Sequence, residues 1–336
     1  LYHVLLINLL VSMLGSSLVV LDMSSIDKDP DINQHKEWRL VGRVSKLWLY
    51  PVKSCAPLSL TEAGTSNAGL QLLHSHLLLR DRSFMIVNDT AKATMVTGRM
   101  CPQSVLITPV LEENGDLALT FPGKTNCRVT LEQQSTTLRA VKVWSDDVSG
   151  VDCGDEVATW LGDVLRRPVR LLYHQKQTSD RILAQYHTVA LPRLLPHQDG
   201  ALYADRMSFM MLCEESVTEL QQQVGKPLTP LQFRPNILVT SGDSGNVAGL
   251  RGFQEDKWQR IKVGDTVQFR NISPCTRCSF TCVCPETGTA DADGEPLKTL
   301  KKTRYSDDFK APLFGINLGL DIPGTIRTND PVYAWC

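Results

Sequence analysis

Short runs of alternating apolar and polar residues, each closed by a turn signal, constrain the fold of this chain more than any other feature. Val41-Gly42-Arg43-Val44-Ser45-Lys46-Leu47-Trp48-Leu49-Tyr50 alternates and then runs into Pro51-Val52-Lys53-Ser54. Successive side chains of a strand point to opposite faces, so this pattern predicts a half-buried strand that ends in a loop. The spans 83–87, 104–108, 117–121, 127–131 and 138–144 read the same way, with Glu113-Asn114-Gly115-Asp116 as a hairpin turn. In the second half 236–240 is a strand. Segments 261–267 and 326–332 echo each other as apolar run, turn with Asp, then strand, which predicts a barrel hairpin at each. Two helices interrupt the pattern. Over 155–167, Val157, Trp160, Leu161, Val164 and Leu165 share one face and Pro168 stops the run. Over 214–224, Val217, Leu220 and Val224 share a face and Gly225 follows. Many short strands and few helices predict a mostly β chain (α+β) of β-barrel domains with peripheral helices.

The chain of 336 residues is long enough for two such domains. We place the first at 39–172 and the second at 185–336, joined through a polar segment around 175–200 that holds His187, Pro192, Pro196 and His197. Ahead of them, residues 1–21 contain no Asp, Glu, Lys or Arg, and Asp22 is the first charge. About 20 apolar residues span a bilayer as a helix. A membrane anchor, a signal sequence and a buried segment all remain open for this stretch, with 22–38 as a polar linker behind it. Lys plus Arg number 35 against 36 Asp plus Glu, a net charge of -1, with no basic stripe interleaved with aromatics. Nucleic acid is therefore not an expected partner.

Four of the ten cysteines fall within ten residues: Cys275, Cys278, Cys282 and Cys284. Thiolates are soft anionic ligands, so the cluster is a candidate metal or sulfur site. A structural zinc site ordinarily uses two separated pairs. Here the second pair follows at once, and a strand over 279–283 would put Cys278, Cys282 and Cys284 on one side. A tetrahedral ion is hard to wrap that way. A zinc deaminase would need His-x-Glu, and none of the seven histidines has Glu two residues later. The six dispersed cysteines, Cys55, Cys101, Cys127, Cys153, Cys213 and Cys336, read as reduced, mostly buried thiols facing a cytosol-like environment. Basic residues gather at strand–loop junctions: Lys53-Ser54, Arg80-Asp81-Arg82 and Phe233-Arg234-Pro235-Asn236. Each is a candidate anion contact or a surface ion pair. Asn236 adds an amide able to bind a heterocycle edge.

Tyr50-Pro51-Val52-Lys53-Ser54-Cys55, Leu79-Arg80-Asp81-Arg82, Phe233-Arg234-Pro235-Asn236, Cys275-Thr276-Arg277-Cys278, Pro312-Leu313-Phe314-Gly315 and Asp330-Pro331-Val332-Tyr333 occur in this order. Over about residues 39–335 the chain resembles the MOSC-domain proteins, and within them the mitochondrial amidoxime reducing component. That resemblance implies an N-terminal MOSC-associated β domain, a C-terminal MOSC β-barrel and a molybdenum cofactor. It implies Cys278 as metal ligand and catalytic residue. Lys53, Ser54 and Arg82 would hold the cofactor phosphate. Arg234, Asn236, Thr276 and Arg277 would lie around the pterin or metal, and Asp205 matches less securely. Thr276 stands where serine is common, 242–252 looks expanded, and Asn317 differs, which bears on substrate shape. The implied activity is reduction of small N-hydroxylated compounds such as amidoximes and hydroxylamines. Electrons would come from a b-type cytochrome and its NADH-dependent reductase, and no haem or flavin motif stands in this chain. The implied address is the mitochondrial outer membrane, tethered through 1–21 and facing the cytosol. Alternatives within the family are a non-catalytic cofactor binder and a sulfur-carrier protein. The latter branch typically adds a large pyridoxal-phosphate lyase domain, for which 336 residues leave no room.

Overall fold

The structure, a computed structural model, describes residues 37–73, 78–90, 93–113, 115–129, 137–176, 179, 181, 193–195, 199–241 and 250–335. The charge-free stretch 1–21, the linker up to residue 36, most of 175–200 and the region 242–249 lie outside these residues.

Seven strands close into a barrel. They are β1 (Arg39–Leu49), β2 (Phe209–Cys213), β3 (Ile237–Thr240), β4 (Arg260–Val263), β5 (Val267–Thr276), β6 (Ala311–Ile322) and β7 (Pro331–Trp335). The order is β2-β3-β1-β7-β4-β5-β6, and β6 pairs back onto β2. Only β2 and β3 run parallel within the barrel. Closure removes the unpaired edges that an open sheet of this length would expose. Val44, Ile237, Ile316 and Val332 point inward, with Phe209 edge-on to Phe269 at 5.1 Å. The alternation read in 41–50 is therefore the pleat of β1, which sits between β3 and β7.

Around the barrel lie three smaller antiparallel sheets. One joins Phe84–Asn88, Val169–Tyr173, Asp146–Asp152 and Leu138–Val143. Helix α1 (Asp155–Leu165) packs beside it through Val157, Leu161 and Val164. A second sheet is Thr108–Leu111, Leu117–Thr120 and Cys127–Val129, turned by Gly115 at φ 84°. The third joins Glu62–Ser66, Gly69–Gln71 and Thr325–Arg327. Helix α2 (Glu214–Val224) ends on Gly225, as its sequence foretold, and α3 (Leu297–Thr303) is a short helix that no periodicity announced. The mostly β fold with peripheral helices is thus what the sequence implied.

Three local expectations are corrected. Residues 104–108 are not a strand: Pro102 opens a 3₁₀ turn, Pro102–Leu106, and pairing starts only at Thr108. Residues 279–283 form a second 3₁₀ turn, Ser279–Cys282, so the cysteines there do not alternate along a pleat. The 261–267 segment is a hairpin, but its echo at 326–332 is not. Thr325–Arg327 joins Glu62–Ser66, whereas β7 joins β1 and β4.

One buried carboxyl ties α2 to the barrel. Glu255 accepts from Ser216 Oγ at 2.7 Å and from the Cys213 backbone N–H at 3.4 Å. Burial pushes it up from 4.5 to about 7, against the pull of those donors. Its folded pKa lies above its unfolded one, so its contribution favours folding below pH 4.5 and is lost as pH rises to about 7. Comparing Glu255→Gln with the parent by urea unfolding, the stability difference should move in the variant's favour by about 3 kcal/mol between pH 4.5 and pH 8. Parallel pH curves would refute this.

Candidate functional site

The first strand delivers the residue that follows it, Tyr50, fully buried, to the centre of a cationic cluster. The Arg82 guanidinium lies 4.3 Å from the Tyr50 ring centroid, and that of Arg234 lies 4.2 Å from it. Each cation gains from a π face. Two hydrogen-bonding atoms in this group have no partner among the described residues: Tyr50 Oη and Arg234 Nη2. Burial raises the Tyr50 phenol to about 12, and burial with the neighbouring Arg82 charge lowers Arg234 to about 10.

Asp81 and Asn236 hold the cluster from behind. Asp81, buried, accepts from the Tyr50 backbone N–H at 3.0 Å, from Asn236 Nδ2 at 2.8 Å and from Arg82 Nη1. Asn236 also donates to Trp48 O at 3.2 Å and accepts from Met210 N at 3.1 Å and Arg82 Nη1 at 3.4 Å. Its two donors and two lone pairs are then all used. The amide singled out for a heterocycle edge has no slot left for one; it orients Asp81 and Arg82.

Lys53 follows in the loop after β1. It is buried, and its Nζ donates to Tyr203 O at 2.8 Å and to Asp205 Oδ1 at 2.5 Å. Burial works to lower its pKa, and Asp205 opposes this. Asp205 also accepts from Trp144 Nε1 at 3.0 Å, and Arg99 stacks on that indole at 4.7 Å. Arg181 fixes the backbone of the same segment through Ala204 O and Asp205 O. Asp205, the least secure sequence match, is thus brought to Lys53.

Cys278 lies where the last barrel hairpin leaves the sheet. The β5–β6 register shifts between Pro274 and Thr276, and such bulges re-aim the chain. Thr276 still pairs with Leu313. Arg277 then turns inward. Its Nε and Nη2 donate to Phe314 O at 2.9 and 2.6 Å, and Nη1 donates to Phe233 O at 2.8 Å. Burial lowers its pKa. Arg277 therefore clamps β6 to the turn bearing Arg234 and leaves Cys278 exposed at the head of the 3₁₀ turn. The tightness of this corner explains the glycine of Pro312-Leu313-Phe314-Gly315: Gly315 has φ 72°, and a Cβ there would sit 2.8 Å from Met211 O. Two residues past Cys278, Phe280 lies over Arg234 at 5.5 Å, and both line one cavity with Tyr50 and Gln232.

The other clustered thiols face elsewhere. Cys282 is buried, its Sγ 3.3 Å from Gly294 O, and Cys284 Sγ lies 3.1 Å from Glu286 Oε2. Among the described residues no group of three or more His, Cys, Asp or Glu side chains is arranged to hold a metal ion. The nine described cysteines are free.

Ser54, Arg82, Trp144 and Arg234 have φ of 71°, 48°, 57° and 57°. Left-handed backbone costs non-glycine residues roughly 1–2 kcal/mol each and gathers at functional sites. Tyr50, Asp81 and Trp144 were absent from the sequence-derived site. Tyr50 and Asp81 stood inside the quoted motifs, where a carboxylate between two arginines was the available signal. Nothing local marks Trp144.

A closed barrel whose flanking sheets deliver a basic cluster beside one exposed cysteine defines the class. Residues 41–168 match the MOSC N-terminal beta barrel domain and residues 199–333 match the MOSC domain, so the chain belongs to the MOSC-domain family. Among curated proteins it is 34% identical over 303 residues to mitochondrial amidoxime-reducing component 1 of Homo sapiens, covering 87% of this chain and 83% of that protein. It is 33% identical to the Mus musculus protein of the same name, over 87% and 82% of the two chains. Mitochondrial amidoxime reducing component 2 of Bos taurus is 34% identical, over 87% and 83%.

Proposed function

We propose that the chain is a molybdenum-cofactor oxidoreductase that reduces N-hydroxylated compounds such as amidoximes and hydroxylamines. One observation carries the fit to an anionic cofactor: Tyr50 Oη and Arg234 Nη2 are buried inside a cationic cluster without a partner among the described residues. Buried donors without partners cost folding free energy unless a ligand uses them. Arg82 and Arg234, with Lys53 and Ser54, would hold the cofactor phosphate by charge-assisted bonds. Thr276 would line its approach, and Cys278, the exposed thiol of the corner, would ligate the metal. Arg277 and Asn236 serve by position, the first aiming Cys278 and the second aiming Arg82. Asp205 holds Lys53 in place and opposes the lowering of its pKa by burial.

When bound, the group would supply reduction of an N–O bond: two electrons and two protons convert an amidoxime to an amidine and water. The electrons would come from an external b-type cytochrome served by an NADH-dependent reductase. The names of the relatives support this reading.

Elemental analysis of the purified chain for molybdenum, zinc and iron is the test, paired with benzamidoxime reduction by reduced methyl viologen. About one molybdenum per chain with amidine formation is expected. Stoichiometric zinc would overturn the reading, and molybdenum without N-reduction would favour a cofactor carrier. Arg82→Ala should lower molybdenum and pterin content of the purified protein about 10- to 100-fold at limiting cofactor, the worth of one charged hydrogen bond. Normal occupancy with reduced stability would make Arg82 a scaffold residue.

For location, we propose that residues 1–21 tether the chain to the mitochondrial outer membrane with residues 39–336 in the cytosol. The support is the charge-free length and the mitochondrial names of the relatives. Among the described residues no helix is long and apolar enough to cross a membrane. A C-terminal tag that resisted protease until the outer membrane was opened would overturn the orientation.

A further inference from the structure

Beside Cys278 lies a second basic surface that the cofactor cradle does not use. Helix α3 (Leu297–Thr303) carries Lys298, Lys301 and Lys302 at i, i+3 and i+4, on one exposed face. Lys310 is also exposed, and the Tyr305 side of this surface is open, with that ring 50% accessible. None of the four lysines pairs with a carboxylate among the described residues. Residues 297–310 hold five basic residues (Lys298, Lys301, Lys302, Arg304, Lys310) and two acidic ones (Asp307, Asp308), a net of +3. The whole chain is -1, so everything else sums to -4. Arg304 is not part of the open face, for it pairs with Asp256 at 2.5 Å and bonds Leu313 O at 2.9 Å.

Helix stability does not account for this charge. Lys301 and Lys302 suit the last turn of a helix, where the dipole favours cations, but Lys298 stands in the first turn, where it does not. The surface is also fixed to the site. Leu300, on the opposite side of α3, is fully buried in one cluster with Tyr50, Phe233 and Phe314. Tyr305 pairs with Pro312, whose carbonyl accepts from the Arg277 backbone N–H at 2.8 Å. Two strand spacings separate Tyr305 from Arg277, about 10 Å.

We propose that the Lys298–Lys301–Lys302 face of α3 is the docking surface for an acidic patch on the electron-donor protein. The inference rests on the redox reading above. A concentrated positive face on an otherwise negative chain orients an acidic partner before contact and raises its association rate. Its place beside the exposed cysteine brings a docked redox centre close to the metal position.

The experiment compares the parent with Lys298→Glu/Lys301→Glu/Lys302→Glu, using a soluble b-type cytochrome domain or reduced methyl viologen as reductant. The three substitutions lie on the surface, outside the cofactor cradle. We expect viologen-driven amidoxime reduction and molybdenum content to be unchanged. With the cytochrome, kcat/KM at low ionic strength should fall at least about tenfold, and the gap should narrow in high salt as charges are screened. The parent's cytochrome-driven rate should itself fall with salt, a readout that needs no variant. A salt-independent parent rate, or a variant with full cytochrome-driven activity, would overturn the docking surface and leave the redox reading intact. Absence of viologen-driven activity in the parent would instead overturn the redox reading. Should the variant lose only its binding to phosphatidylserine vesicles, with electron delivery unchanged, the face serves a membrane and the proposal fails.

Discussion

Replacing Cys278 with alanine is expected to abolish amidoxime reduction and to remove molybdenum from the purified protein, while leaving the fold intact. The thiol is exposed and at the head of a 3₁₀ turn, so its loss should shift stability by no more than about 0.5 kcal/mol. Activity should fall more than about a hundredfold, beyond the range found when a residue merely supporting a metal ligand is lost. Cys282→Ala and Cys284→Ala supply the contrast. The first removes a buried sulfur beside Gly294 O and should cost about 1 kcal/mol; the second removes an open one. Both should retain metal and turnover. Molybdenum retained in Cys278→Ala, or lost in Cys282→Ala, would assign the metal to a different sulfur.

Asp81→Ala should be among the most destabilising single changes in the chain, at about 3–5 kcal/mol by urea unfolding. The residue is 1% exposed and accepts from Tyr50 N, Asn236 Nδ2 and Arg82 Nη1. Without it, the Arg82 and Arg234 guanidinium groups, both on the Tyr50 ring, lose their buried counter-charge. Breaking one side of a buried ionic group strands the other in a medium that solvates it poorly. Added cofactor should recover part of the loss, because an anion supplies the missing charge and binding to the folded state alone stabilises it. The exposed Asp307, changed in the same way, should shift stability by less than about 0.5 kcal/mol. Equal effects at the two positions would show that Asp81 does not organise the cluster.

Only part of the barrel was legible: β1 and β3, with the Gly115 turn and α2 outside it, stand where pattern placed them, whereas β2 and β6 are apolar almost throughout and offered no alternation. The 3₁₀ turns were not, since Ser104-Val105 and Thr281-Cys282 alternate polar with apolar as a strand would, and only proline chemistry or the end of pairing decides. Helix α3 carries one fully buried residue, Leu300, too little for a period to emerge. At the site, charge types were legible but directions were not. Arg277 and Asn236 look like ligand contacts in one dimension, yet their polar atoms turn toward Phe314 O, Phe233 O and Asp81. Such direction is fixed by partners far along the chain, and no local pattern encodes it.

The placement of β1 between β3 and β7 has a consequence for biogenesis. Gly42 pairs with Val332 and Arg43 with Thr240, so the strand near the start of the body bonds to chain synthesised long after it. Tyr50 and Lys53, which follow that strand, wait for the same closure. Contacts of such sequence separation slow folding and leave apolar strand edges open in the interim. An anionic ligand of the Tyr50–Arg82–Arg234 cluster would then enter only after β7 is made, and a nascent chain arrested before β7 should be a client of chaperones rather than an acceptor of that ligand.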